Sequence, residues 1–138
     1  AMSIMAATLA NGGLCPHTGT RCCTSDEVRA ALPLMLTCGM YDYSGHWAFE
    51  VGIPAKSGVG GCIFMVVPNL AGISVWSPRL DSVGNSIRGI AVAKALVEKI
   101  ELHNFEVFSG MAARRINIKT KRHLEKMQEI SAFIDASS

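Results

Sequence analysis

The spacing of apolar and polar residues in the first forty positions predicts two helices. Ser3 to Ala10 has the character of the end of a helix, and the triplet Asn11-Gly12-Gly13 is a stop signal. Thr24 and Glu27 have the three-residue spacing of a capping box, which marks the start of a second helix. The apolar residues that follow recur at every third or fourth position: Val28, Ala31, Leu32, Met35 and Leu36. This stripe predicts an amphipathic helix that ends at Gly39.

The period changes to two after His46, and this change predicts strands. Trp47, Phe49, Val51 and Ile53 alternate with smaller or polar residues, as in a half-buried strand. Gly60 to Val67 is almost wholly apolar, which favours a central strand covered on both faces, and Ala71 to Trp76 is a third strand. Because the links between these runs are short, we expect an antiparallel meander.

Helical spacing returns near residue 85. Asn85 or Ser86 is positioned to cap a long helix. Its expected buried face comprises Ile87, Ile90, Ala93, Val97 and Ile100. A further amphipathic helix is predicted from Leu124, Met127, Ile130 and Ile134. The expected fold class is therefore α+β, with helices packed on a small antiparallel sheet.

Composition narrows the classes of function. The 138 residues are 49% hydrophobic and 17% charged, a profile typical of one globular domain at most. A net charge of +2 gives no reason to expect a nucleic-acid or membrane partner. The longest apolar run, Cys62 to Val67, is too short to cross a bilayer. The first basic residue is Arg21, so the start lacks the charged region of a signal peptide, and we expect an intracellular protein.

The chain contains five cysteines, and an odd number favours reduced thiols over a disulfide framework. They are Cys15, Cys22, Cys23, Cys38 and Cys62. The cluster around His17 leaves a metal site open as the weaker alternative, because its spacing fits no standard zinc pattern. We expect no metal and no cofactor.

A basic segment lies between residues 114 and 126, where six of the 13 Lys and Arg residues fall. These residues are Arg114, Arg115, Lys119, Lys121, Arg122 and Lys126. An anionic partner is one interpretation. A solvated helix face with Glu125 and Glu129 nearby is the other, and the small net charge favours it.

The most informative stretch for chemistry runs from Gly52 to Gly61 and contains Lys56-Ser57-Gly58. A Lys-Ser-Gly triplet between predicted strands is similar to an element of penicillin-recognising serine enzymes. A lysine places positive potential beside an acyl substrate, and a serine hydroxyl can bind a carboxylate. Glycines allow a backbone N–H to approach a developing oxyanion closely. The alternative is a glycine-rich turn with a solvated lysine.

Three stretches together make the resemblance specific, and the chain resembles the serine-dependent glutaminases between residues 4 and about 104. The stretches are Met5-Ala6-Ala7-Thr8-Leu9-Ala10-Asn11-Gly12-Gly13; Cys38-Gly39-Met40-Tyr41-Asp42-Tyr43-Ser44-Gly45, continued by Gly52 to Val59; and Val66-Val67-Pro68-Asn69, Trp76-Ser77-Pro78, Leu80-Asp81 and Gly84-Asn85-Ser86. This resemblance implies a β-lactamase-like fold and hydrolysis of L-glutamine to L-glutamate and ammonia through a serine acyl-enzyme. The chain would be a C-terminal portion of the catalytic domain, with residues 105–138 as a helical extension.

The resemblance also assigns residues by position. Tyr41 matches the family's active-site tyrosine, which would contact the substrate and the proton network of the nucleophile. Val59 matches the residue whose backbone N–H lines the oxyanion site. Lys56, Ser57 and Gly58 match the Lys-Ser-Gly strand of the substrate site. We therefore expect Tyr41 to lie beside the turn after Ile53 that carries these residues.

The nucleophile of the family is missing from the sequence, because no Ser or Thr is followed by Lys three residues later. Pro33 and Arg79 also differ from the family pattern. Without an activated nucleophile no acyl-enzyme can form, so we expect the isolated chain to be inactive.

Three partners or associations follow from the resemblance: L-glutamine, the missing N-terminal half of the catalytic domain, and further copies of the chain in a homo-oligomer. Bacterial cytoplasm and mitochondria are both open as compartments. The alternative function is a truncated, non-catalytic module that oligomerises or binds partners. A penicillin-binding or β-lactamase relative is a third interpretation, which the Gly39-Met40-Tyr41-Asp42 stretch disfavours.

Overall fold

A computed structural model describes residues 1–100 and 102–105, which lie within one compact unit, Ala1–Phe105. In chain order the helices and strands are α1 (Met2–Ala10), α2 (Ser25–Cys38), a short 3-10 helix (Tyr41–Tyr43), α3 (Ser44–Glu50), β1 (Ala55–Gly58), β2 (Cys62–Val67), β3 (Ala71–Trp76) and α4 (Ile87–Ile100). The α+β class expected from the sequence is confirmed.

The three strands form an antiparallel sheet in the order β1-β2-β3. The meander and the central position of the apolar strand β2 are as predicted, although β2 begins at Cys62 rather than at Gly60. The third strand has the predicted bounds. The short links leave no room for a parallel crossover, so each strand can only fold back beside its neighbour.

The side chains of β2 point alternately to the two faces of the sheet. Each face therefore has its own group of packed apolar residues. Ile63, Met65 and Val67 belong to the larger group, which continues into the helices α3 and α4. Val66 and the half-buried Phe64 belong to the smaller group, which includes α1 and part of α2. The sheet thus lies between two pairs of helices.

The first two helices begin and end where the sequence places them. Thr24 accepts a hydrogen bond from the Glu27 N–H, and the Glu27 carboxylate accepts one from the Thr24 N–H, so both halves of the capping box are present. Helix α2 ends at Gly39 and contains Pro33 without interruption. Helix α1 ends at Ala10 with Asn11 as its C-cap, and the Gly13 N–H donates to the Thr8 carbonyl.

The strand predicted over Trp47 to Ile53 is wrong, because Ser44–Glu50 is the helix α3. Ser44, Trp47 and Val51 are buried at helical spacing, whereas Phe49 is 85% exposed. The alternating pattern was misleading because Phe49, one of the four apolar residues, faces solvent in the helix. The indole N–H of Trp47 donates to the Ile53 carbonyl at 2.8 Å, which secures α3 against the segment that leads into β1.

Ser86 caps α4, since its hydroxyl accepts a hydrogen bond from the Gly89 N–H at 3.0 Å. The buried face of α4 differs from the prediction: Ala93 and Val97 are buried as expected, but Ile87 and Ile100 are exposed. Gly89 takes the place of these two isoleucines in the contact between α4 and the sheet. A Cβ on Gly89 would lie 2.9 Å from Ile63 Cδ1. The missing side chain lets the helix approach the sheet along the Gly89 side.

The predicted helix at Leu124 to Ile134 and the basic segment 114–126 lie outside the described residues. Among the described residues, no helix combines the length and the apolar character that a membrane crossing requires.

We predict that Thr24→Ala lowers the free energy of unfolding by about 1 kcal/mol, because it removes one acceptor of the capping box. The hydrogen bond from the Thr24 N–H lowers the pKa of Glu27. The contribution of that carboxylate should be complete above its ordinary pKa and should disappear as the pH falls through its lower folded value. Urea unfolding of both proteins at several pH values, followed by fluorescence, measures this. Ser82→Ala, at an exposed position, is the control and should change nothing.

Candidate active site

The triplet Lys56-Ser57-Gly58 lies in strand β1, as the resemblance to a Lys-Ser-Gly strand implies, and not in the glycine-rich turn that was the alternative. Strand β1 is at the edge of the sheet and pairs only with β2 among the described strands. The Ser57 N–H points away from β2 and donates to the Gly39 carbonyl at 2.9 Å. The end of α2 therefore covers the outer edge of β1.

Gly39 makes this close approach possible. A Cβ at this position would lie 1.8 Å from the Ala55 carbonyl oxygen and 2.3 Å from that of Met35. Backbone atoms cannot yield as the end of a side chain can, so only glycine fits. The next two residues, Met40 and Tyr41, are thereby carried along the edge of the strand.

The Tyr41 side chain lies at the same edge as the Ser57 carbonyl. Its hydroxyl is 3.5 Å from the Ser57 carbonyl oxygen, which also accepts a hydrogen bond from the Lys56 ammonium group. The ammonium nitrogen is 4.9 Å from the centroid of the Tyr41 ring, within the range of a cation–π contact. The sequence-predicted residues Tyr41, Lys56 and Ser57 are thus brought together.

The backbone of Tyr41 is in the left-handed region, with φ of 54°. A bulky residue rarely adopts this conformation, and such strain costs about 1–3 kcal/mol. The neighbouring hydrogen bonds hold it: the Ser44 hydroxyl donates to the Tyr41 carbonyl at 2.6 Å, and the Ser44 hydroxyl oxygen accepts from the Met40 N–H. Strain that is maintained in this way is typical of functional positions.

Asn85 supports the same segment from the loop before α4. Its side chain is fully buried, and its amide group donates to the Met40 carbonyl at 3.1 Å. The preceding Gly84 has φ of 100°, and a Cβ there would lie 3.7 Å from the Tyr41 ring. The loop is closed by Asp81, whose carboxylate accepts from the Val83 and Asn85 N–H groups.

The direction of the Val59 N–H follows from the peptide plane that it shares with the Gly58 carbonyl. That carbonyl accepts a hydrogen bond from the Gly61 N–H at 2.9 Å, inside the hairpin between β1 and β2. No cis peptide bond is present among the described residues, so the Val59 N–H points in the opposite direction, away from β2. Alternation along the strand gives the Ser57 carbonyl that same outward direction. Within the described residues the Val59 N–H has no acceptor.

The Ser57 side chain differs from its backbone in orientation. The residue is only 2% exposed, and its hydroxyl has no hydrogen-bond partner among the described residues. Lys56, the preceding residue, is exposed on the other face of the strand. At this position the carbonyl, and not the hydroxyl, faces Tyr41.

Sequence reasoning assigned no role in the site to Gly39, Ser44 or Asn85, although all three lie in the quoted motifs. A glycine beside an active-site tyrosine and an asparagine before a helix were the available signals. The hydrogen bond between Gly39 and Ser57 and the one between Asn85 and Met40 join residues 18 and 45 positions apart, which no local pattern contains.

A second polar cluster lies on α3 and α4. Tyr43 donates to the Glu50 carboxylate, and Lys94 pairs with that carboxylate at 2.7 Å. Burial, and then the hydrogen bond to Glu50, raise the pKa of Tyr43. The pKa of Glu50 is lowered by Lys94 first and by Tyr43 second, while the carboxylate raises the pKa of Lys94. Because these side chains are about one-third exposed or more, the pair stabilises the fold by less than about 1 kcal/mol.

The cysteines are all free thiols in the described residues. Hydrogen bonding with the Thr18 side chain lowers the pKa of the Cys15 thiol to about 7. No group of three or more His, Cys, Asp or Glu side chains in the described part of the chain could hold a metal ion.

Known proteins match the same part of the chain that forms the compact unit. The family model described as Glutaminase matches residues 1–105. A mitochondrial liver glutaminase of Rattus norvegicus is 54% identical over 104 residues, which are 75% of this chain and 17% of the relative. A glutaminase of Nostoc sp. is 53% identical over 105 residues, which are 76% of this chain and 31% of the relative. The chain therefore spans less than a third of the length of these relatives.

Solved structures are similar over the same part. A Bacillus subtilis glutaminase, in covalent complex with 5-oxo-L-norleucine after reaction with 6-diazo-5-oxo-L-norleucine, superposes with a TM-score of 0.72 at 37% identity. The match covers 75% of this chain and 38% of that one. A second structure, named Mglu, gives a TM-score of 0.72 at 45% identity and covers 78% of this chain and 27% of that one. The described fold is thus part of a β-lactamase-like domain.

We predict that Gly39→Ala lowers the free energy of unfolding by at least about 1–3 kcal/mol, because the added methyl group meets the Ala55 carbonyl. Gly45→Ala is the matched control, since a Cβ at Gly45 has no neighbour within 4 Å. Urea unfolding measures both. Equal stability of the two variants would contradict the close contact between Gly39 and β1.

Proposed function

The chain belongs to the glutaminase family, and on this premise we propose that it supplies one side of an active site that hydrolyses L-glutamine to L-glutamate and ammonia. The observation that supports this proposal best is the shared orientation of two groups at the outer edge of β1. The Tyr41 hydroxyl contacts the Ser57 carbonyl there, and the unpaired Val59 N–H points outward from the same edge. A proton-transferring group and an oxyanion donor are two of the components that amide hydrolysis requires.

The proposed reaction begins when a serine nucleophile attacks the side-chain amide carbonyl of glutamine. The carbon–oxygen double bond opens to an oxyanion, which the Val59 N–H stabilises. Tyr41 takes part in proton transfer between the nucleophile and the leaving nitrogen, so that ammonia departs as the acyl-enzyme forms. Water then attacks the ester and releases glutamate. The covalent complex of the Bacillus subtilis relative with 5-oxo-L-norleucine supports a covalent route.

Lys56, Ser57 and Gly58 have supporting roles in this proposal. The Lys56 ammonium group provides positive potential beside the phenol ring of Tyr41, at 4.9 Å from the ring centroid. The Ser57 carbonyl orients both the Tyr41 hydroxyl and the lysine. Gly58 has no side chain to block the approach of substrate to the strand.

The nucleophile itself must come from residues outside this sequence, because no Ser or Thr has a Lys three residues later. We therefore propose that the active enzyme needs the part of the catalytic domain that the longer relatives contain. The expected locations are the bacterial cytoplasm or the mitochondrion, in keeping with the mitochondrial rat relative and the bacterial ones.

We predict that the purified chain releases no ammonia from glutamine, and that mixing restores activity. The partner for mixing is the part of the Nostoc glutaminase that lies outside the matched region. Activity in the mixture should fall at least about hundredfold with Tyr41→Phe, the upper end of the effect of one acid–base group being about 10⁴-fold. An enzyme-coupled ammonia assay measures this.

Tyr43→Phe is the matched control, because Tyr43 is the second of the two tyrosines in the chain and its hydroxyl binds Glu50 on α3. It should retain most of the activity. Full activity of the Tyr41→Phe mixture would overturn the proposed role of the phenol.

The alternative is a non-catalytic module that oligomerises or binds partners. Several large apolar side chains are mostly exposed on the described unit, which favours association. They include Leu34, Phe49, Val59, Trp76 and Phe105. Rescue of activity by the complementary part supports the enzyme, whereas strong salt-dependent nucleic-acid binding without rescue supports a module.

We predict that the isolated chain self-associates at concentrations of about 0.1 mM, because burying these apolar side chains removes them from water. Static light scattering over a hundredfold range of concentration gives the mass. A constant monomer mass across that range would contradict the prediction, and addition of the complementary part should dissociate the assembly if both use one surface.

A further inference from the structure

Trp76, at the end of β3, combines an exposed ring with a specific polar contact. Its side chain is 69% exposed, although a ring of this size gains from burial. Its indole N–H donates to the Gly60 carbonyl at 2.9 Å. Gly60 lies in the turn between β1 and β2, 16 residues earlier in the chain.

The next residue makes a parallel contact with the same turn. The Ser77 N–H donates to the Gly61 carbonyl at 2.9 Å. Gly61 has φ of 86°, and a Cβ there would lie 2.3 Å from the Ser77 carbonyl oxygen. The last residue of β3 and the residue after it therefore bind the carbonyls of two consecutive residues of the turn.

No hydrogen bond among the described residues restrains the Val59 N–H itself. It has no acceptor in the described part of the chain, and the Val59 side chain is 75% exposed. Its direction depends on the peptide plane that it shares with the Gly58 carbonyl, which accepts from the Gly61 N–H. That N–H shares the next-but-one peptide plane with the Gly60 carbonyl, to which the Trp76 indole donates.

We propose that Trp76 is a positioning residue for the oxyanion amide: its indole N–H fixes the Gly60 carbonyl and thereby the direction of the Val59 N–H. The catalytic consequence rests on the proposed function, but the restraint on the turn does not. An oxyanion donor acts in the transition state only if it is aimed before the reaction begins.

Trp76→Phe tests the restraint directly, because it removes the donor and keeps an aromatic ring at an exposed position. The first measurement is ¹⁵N relaxation of the Val59 amide in the 138-residue chain. We expect the order parameter to fall from about 0.85, the value of a rigid backbone, to below about 0.6. Gly61→Ala, which disturbs the Ser77 side of the turn, should act in the same direction.

Thr24→Ala is the control for a general loss of stability, since the capping box lies on α2, outside the turn and the site. It should leave the Val59 order parameter unchanged. An unchanged order parameter in Trp76→Phe as well would overturn the proposal, whatever the activity.

The second measurement uses the mixture with the complementary part of the catalytic domain. Trp76→Phe should lower kcat about tenfold and change KM less than twofold, because the Val59 N–H is needed most in the transition state. Thr24→Ala should leave both constants unchanged. A mobile Val59 amide with normal kcat would overturn the catalytic role of Trp76. An inactive wild-type mixture would instead overturn the proposed function, and the relaxation data alone would then decide on the restraint.

Discussion

The contact between Gly39 and the outer edge of β1 determines where the candidate active-site residues lie. The Ser57 N–H binds the Gly39 carbonyl, and the absence of a Cβ at Gly39 allows two backbones to meet without a side chain between them. Tyr41, two residues later, is thereby brought to the Ser57 carbonyl. A larger residue at position 39 would separate α2 from the strand, and the Tyr41 hydroxyl would lose its contact with the Ser57 carbonyl.

The edge of β1 is also protected by this arrangement. An open strand edge presents unpaired N–H and C=O groups, which promote association between chains. Here Gly39 and Tyr41 use the N–H and C=O of Ser57, so the edge becomes part of a site. The Val59 N–H beyond it is left without a partner in the described residues, which is the condition for binding a substrate oxygen.

Strain at this site is offset by buried polar contacts around it. Tyr41 is held in a left-handed conformation by Ser44 and, through the Met40 carbonyl, by the fully buried Asn85. Each neutral hydrogen bond contributes about 0.5–1.5 kcal/mol, similar to the cost of the strain. The conformation therefore depends on segments of α3 and of the loop before α4 as much as on its own neighbours.

The sequence by itself determined the elements whose signals are local: the capping box at Thr24 and Glu27, the stop at Gly39, and the antiparallel pairing of β2 and β3. Motif resemblance made Tyr41 and Val59 the candidate site residues, because residue types at fixed spacing are visible in a linear chain. Only the tertiary structure decided that Trp47 lies in a helix, since whether Phe49 faces solvent depends on what packs beside it. It also decided the outward direction of the Val59 N–H and the contacts of Trp76, because hydrogen bonds between distant segments are set by how the strands meet and leave no trace in the order of residues.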